Sequence, residues 1–182
     1  MITPARSATI AKLLAVVIFA LVLLQLYLST KVATTPRGSA LREALQQQHF
    51  SLGLTALLLV AVRSWFASAA PQESRPDRLP ADADALARLC CKGLYLVIVL
   101  MALIGPLQAW AEGQSIVYFG LFSLPSLIAA KYQSSVTFGY LHSALGFLIL
   151  FLMAFAAMVA VYQAVRYKTS WFRMLPASSW ES

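Results

Sequence analysis

Four stretches of this chain are apolar for about 20 residues or more: residues 10–29, 49–67, 89–110 and 136–165. Each is long enough to cross a hydrocarbon core of about 30 Å as a helix. Lipid offers backbone N–H and C=O groups no partner, so a spanning segment must satisfy them within itself, and an α-helix does. That constraint sets the expected fold class: all-α integral membrane, an antiparallel four-helix transmembrane bundle forming one domain over residues 1–182. Composition agrees, with 60% hydrophobic and only 12% charged residues, about half the charge of a soluble domain. A disordered chain is thereby excluded. The first run follows basic residues but is longer than a signal-peptide core. No A-x-A-like site with a polar mature domain follows it, so it reads as a retained helix.

Charge gives the direction. With four spans, the N-terminus, the central loop and the C-terminus share one side. That side carries Arg6, Lys12, Arg63, Arg75, Arg78, Arg88, Lys92, Arg166, Lys168 and Arg173. The other side carries only Lys31, Arg37, Arg42 and Lys131. The positive-inside rule puts both termini in the cytoplasm. The net charge of +7 is thus a topology signal. The basic residues are scattered, without the stripe a nucleic-acid binder needs. Trp65, Trp110, Trp171, Tyr95 and Tyr132 are expected in the aromatic belts at the membrane surfaces.

The loops differ in character. Residues 30–48 face outside and contain a stretch suited to a short helix, SALREALQQ. Residues 68–87 read as a cytoplasmic linker in which Asp77, Asp82 and Asp84 are solvated. Residues 111–135 are external and unusually apolar, so they are expected to fold back onto the bundle or dip into the interface. Gly105-Pro106 is expected to kink the third helix. Cys90 and Cys91 are adjacent and are expected to remain free thiols. No CxxCH, Walker A, HExxH or Rossmann motif occurs, so covalent haem attachment and nucleotide chemistry have no support.

The chain has two histidines, His49 and His142. Each lies near the external end of a span, and both spans run in the same direction, so the two lie at similar depth. A glycine follows each by four residues, Gly53 and Gly146, on the same helix face. A His above a Gly leaves a flat hollow beside the imidazole, which a porphyrin edge would need. Two neutral imidazoles can saturate haem iron axially. The other reading is that each His simply bonds a neighbouring helix. A bare metal ion held by two histidines is the weaker idea, since structural zinc wants four ligands.

The segments LHSALGFLILFL at 141–152, WFRMLP at 171–176, GLYLVIVLMALIGPL in the third span, VYFGLFSLP at 117–125 and QQHFSLGLTALLLVAVR at the second span together resemble the bacterial cytochrome b561 family. That resemblance spans nearly the whole chain. It implies a small four-helix cytochrome of the bacterial inner membrane with two haems b. The outer haem of the family is held by a His early in the second helix and one early in the fourth, matched here by His49 and His142. The inner haem is held by a first-helix His and a deeper fourth-helix His. Ala15 and Ala156 stand at those positions, and Cys91 stands where the family often has a third-helix His. One haem b is therefore expected, with Leu, Val, Phe and Met filling the space of the other. Arg42, two turns before His49, is the candidate partner for an anionic haem propionate, ahead of Lys131 and Arg37; the other reading is that all three are ordinary solvated loop charges.

Some members of the family are similar to superoxide oxidases, which pass an electron from superoxide to ubiquinone. The resemblance implies a one-electron relay near the periplasmic face, between quinone and a periplasmic donor or acceptor, superoxide among them. Membrane lipid is the constant partner, nucleic acid is not one, and an oligomer is compatible with the sequence. Whether the chain is an enzyme in its own right stays open. Two other readings stand beside the relay: a haem-free or structural subunit of a membrane redox complex, and an anchor passing electrons from quinol to a periplasmic enzyme.

Overall fold

The four apolar runs all fold as helices, and each helix extends beyond the run that nucleates it. The computed structural model describes residues 3–70 and 80–168. Helix α1 is Pro4–Thr34, α2 is Ala40–Ser68, α3 is Ala81–Ala111 and α4 is Tyr132–Tyr167. The shortest has 29 residues, about 44 Å at 1.5 Å per residue. All four are long and apolar enough to cross a membrane. Large apolar side chains point outward along them, including Phe147 and Phe151 at 75% and 62% exposure. Facing lipid rather than water, such side chains carry no penalty.

The helix ends follow from local chemistry. Ser39 caps α2, its Oγ accepting the Arg42 N–H at 3.2 Å, while Glu43 stands in the first turn, where a carboxylate meets the positive end of the helix dipole. The segment SALREALQQ is therefore no separate helix but the first turns of α2. Asp82 and Asp84 likewise lie in the first turn of α3, not in a linker, and Asp84 pairs with Arg88 one turn on. Asp77, Arg75 and Arg78 of that linker, and Arg173, Trp171 and the whole WFRMLP segment, lie outside the described residues. Helix α3 ends in a Schellman arrangement: Gln114 N–H bonds Ala109 O and Gly113 N–H bonds Trp110 O, both at 2.9 Å. Gly113 has φ +78°, the left-handed geometry that glycine adopts without strain. Helix α3 runs through Pro106 without interruption.

The structure adds two strands to an otherwise helical chain. In the apolar loop between α3 and α4, β1 (Ile116–Tyr118) pairs antiparallel with β2 (Phe122–Leu124), with Ile116 opposite Leu124. The turn between them is closed by Leu121 N–H to Tyr118 O at 2.9 Å. Phe119 and Gly120 in this turn have φ of 47° and 75°. A phenylalanine there is strained, and the surroundings hold it. Its N–H donates to Ser51 Oγ at 3.0 Å, and its ring meets Tyr118 edge-on at 4.9 Å.

The loop folds back onto the helices, as one of the two expectations had it. A polar row on α2 at one-turn spacing stitches β1 down. Gln47 Nε2 donates to Ser115 O at 2.8 Å and its Oε1 accepts Val117 N–H at 2.9 Å. Thr55 Oγ1 lies 3.0 Å from Tyr118 Oη. Ile116 is fully buried with Ala109 and Trp110, against Phe50, Leu54 and Leu124.

The described chain forms two compact units. One comprises Ile18–Leu58 and Ile98–Phe147 and holds both histidines. The other draws on the described parts of 1–17, 59–97 and 148–182. Its buried residues include Ala11, Ala15, Val60, Ala67, Cys90, Ile149 and Met153, with Ser7, Arg63 and Gln163 among them. The largest fully buried side chains of this unit are Arg63 and Gln163. Gln163 Nε2 donates to Ala83 O at 2.7 Å, and the Arg63 guanidinium lies 4.4 Å from the Tyr95 ring centre. Tyr95 thus serves as a cation–π platform rather than a surface-belt residue. Cys90 and Cys91 are free thiols.

Candidate functional site

His49 and His142 come together. Their ring centres are 6.1 Å apart, with 68° between the ring planes. In the same unit, α3 and α4 pack in an antiparallel register readable from small residues. A Cβ on Gly146 would lie 3.2 Å from Met101 Cε, and one on Gly139 would lie 3.4 Å from Gln108 Nε2. Between them, a Cβ on Gly105 would lie 3.3 Å from His142 Cε1. Gly105 is therefore the residue that lets the His142 ring lie against α3. Close approach is what the glycine supplies at this point of α3.

The same holds between α1 and α2. Gln25 Nε2 donates to the backbone carbonyl of His49 at 2.8 Å. A Cβ on Gly53 would lie 2.9 Å from that nitrogen, so glycine is needed there to seat the amide. The hollows expected beside the two imidazoles thus have neighbours already: the Gln25 amide at Gly53 and the Met101 methyl at Gly146.

Arg42 sits about 10 Å along α2 from His49, by helix rise. Its Nη1 donates to Thr35 O at 2.9 Å and to Val32 O. It thereby covers carbonyls at the end of α1, where a cation also complements the helix dipole. Lys131 and Arg37 are exposed. Trp110, expected in the membrane-surface belt, is instead 6% exposed beneath the hairpin. Trp65 and Tyr132 are exposed, at 75% and 82%.

Whether these residues suit a haem is a matter of geometry and donors. Two iron–nitrogen bonds of about 2.0 Å plus the reach of each ring call for centres ~6 Å apart, which is the spacing present. Rings sharing one axis on opposite faces of a porphyrin can be rotated by any angle about it. Among the described residues, no cluster of three or more His, Cys, Asp or Glu accompanies the pair, so the donor set suits two axial positions better than a four-ligand ion. Four buried polar atoms of this unit lack a hydrogen-bond partner: Gln25 Oε1, His49 Nδ1, Trp110 Nε1 and His142 Nδ1. Unsatisfied groups are costly in a native interior, and an added group that engaged them would relieve that cost. The residues fit the group.

Four long apolar helices, with an imidazole pair between two of them, define a membrane helical protein. The chain belongs to the prokaryotic cytochrome b561 family, whose model matches residues 12–177. No curated protein matches it. Membership makes it a multi-pass membrane protein of a family of b-type cytochromes that transfer electrons. Sequence reading missed Gln25, Gly105 and Met101 around the imidazoles. Gln25 left one trace, a lone amide in the run FALVLLQLYL; Gly105 stood out only as part of the Gly-Pro pair expected to kink α3, and Met101 left no signal distinct from ordinary membrane-helix composition.

Proposed function

We propose that the chain is a b-type cytochrome of the bacterial inner membrane that holds one haem b between His49 and His142. In this reading both termini are cytoplasmic and the imidazole pair lies toward the periplasm. The observation that carries it is the 6.1 Å separation of the two rings. A bound haem would supply one-electron redox chemistry with no open iron position for O₂. The protein's own part is to fix two neutral imidazoles, exclude water with the hairpin and its apolar cluster, and keep the site within reach of membrane-dissolved quinone. Ubiquinone then serves as a substrate at that depth, with a periplasmic redox protein or superoxide as the other partner. Ala15 and Ala156, which cannot ligate iron, support a count of one haem rather than two.

The test is a pyridine haemochrome assay on purified protein. One haem per chain is expected in the wild type and none in His49→Ala or His142→Ala. An unchanged b-type spectrum in both variants sinks the assignment. A second reading, a haem-free partner subunit of a redox complex, draws on the Gln25 amide and Met101 methyl beside Gly53 and Gly146. A colourless wild type purified from haem-sufficient cells would establish it over the first.

If superoxide is the donor, Lys31, Arg37 and Lys131 would steer it, and its oxidation rate would fall as salt rises. A salt-independent rate removes that role from them.

A further inference from the structure

Two of the unpartnered buried atoms belong to neighbours. Gln25 Oε1 on α1 and His49 Nδ1 on α2 both lack a hydrogen bond, although the Gln25 side chain already reaches the His49 backbone through Nε2. One atom is an acceptor. The other becomes a donor in a neutral imidazole whose Nε2 is given to a metal. An amide inside an apolar span is costly to desolvate unless both its ends are engaged, and here one end is already committed to the turn of helix that carries His49. Gly53 is shaped to that arrangement, since any side chain there would strike the amide. His142 has no such companion: its ring lies against the bare backbone of Gly105.

We propose that Gln25 is a positioning residue for His49, holding its stretch of α2 through the backbone carbonyl and, once a haem is held, turning its free Oε1 to accept the Nδ1–H, a bond the structure itself does not contain. The proposal rests on the haem reading above. It makes the two axial imidazoles unequal, one backed by an amide and one by a glycine. An acceptor on Nδ1–H raises the donor strength of a ligating imidazole and so favours ferric iron over ferrous. Gln25 accordingly lowers the reduction potential.

The experiment is a redox titration with parallel low-temperature EPR on purified wild type, Gln25→Met, Gly53→Ala and the double variant. A haem-free wild type defeats the underlying reading, and this inference with it. With haem present, Gln25→Met is expected to keep its haem while its reduction equilibrium moves about tenfold toward ferrous iron, because losing the acceptor behind a ligating imidazole weakens its hold on ferric iron. That is an upward shift of ~59 mV for one electron. Gly53→Ala, which displaces the amide without removing it, is expected to shift the same way, and the double variant no further than Gln25→Met. A haem-loaded Gln25→Met with unchanged potential and unchanged low-spin EPR signal overturns the proposal. If that variant fails to accumulate, a haem-loaded Gly53→Ala with wild-type potential and signal overturns it equally.

Discussion

The two units draw on the same four helices and treat buried polarity differently. In the unit of Arg63, the Arg63 Nε is the one buried side-chain atom among the described residues with no hydrogen bond, and the large buried polar side chains are engaged by the protein itself. Gln163 is tied to the Ala83 carbonyl, and Arg63 lies on the Tyr95 ring. In the unit of the histidines, Gln25, His49, Trp110 and His142 each keep a buried atom without a partner. The lesson is that apolar helices alone do not say where a site is. What marks it is polarity that the protein's own groups leave unanswered, and only one of the two units has it in quantity.

The largest expected effect tests that contrast directly. His49→Ala and His142→Ala should each abolish bound haem, while Tyr95→Leu in the other unit should leave the haem-to-protein ratio unchanged. A Tyr95→Leu protein that also loses haem would erase the distinction between the units. The same Tyr95→Leu variant should lose stability instead, by about 2 kcal/mol for a desolvated cation–π contact, read from denaturant unfolding in detergent. Next is Gly105→Ala. The added methyl must push the His142 ring or α3 aside, costing about 1–3 kcal/mol, and it should alter the low-spin EPR signal. An unaltered signal would mean that the ring does not depend on this packing. Ser51→Ala removes the acceptor of Phe119 N–H and should cost about 1 kcal/mol. It should speed hydrogen exchange in residues 116–124 before any change elsewhere. The smallest effect is expected for Arg88→Ala, which breaks an exposed one-turn ion pair worth about 0.3–0.5 kcal/mol. It should leave the haem content alone.

The spans were legible because lipid forbids the alternatives, so hydropathy is nearly a structural measurement. It marks the hydrocarbon core rather than the helix, which is why α2 begins at Ala40 while its apolar run begins near His49. The approach of His49 and His142 was legible from depth and direction alone. The hairpin was not. Three-residue strands are too short to show alternation against an apolar background, and a phenylalanine at positive φ follows no turn preference. Trp110 misled because an amphipathic ring at a helix end ordinarily seeks the membrane surface, whereas here the returning loop covers it. Gln25 was invisible as a contact because one amide among aliphatic residues has no periodicity; only the partner helix gives it meaning.

The stitching of β1 to Gln47, Ser51 and Thr55 has a consequence for assembly. A ribbon of two three-residue strands does not persist by itself in water, so it can close only after α2 stands ready to receive it. The ribbon begins just beyond α3, so the third helix must have arrived first. Closure of this clasp therefore waits on α2 and α3 but not on α4, which follows it in the chain and brings His142 to a unit whose opposite side is already fastened.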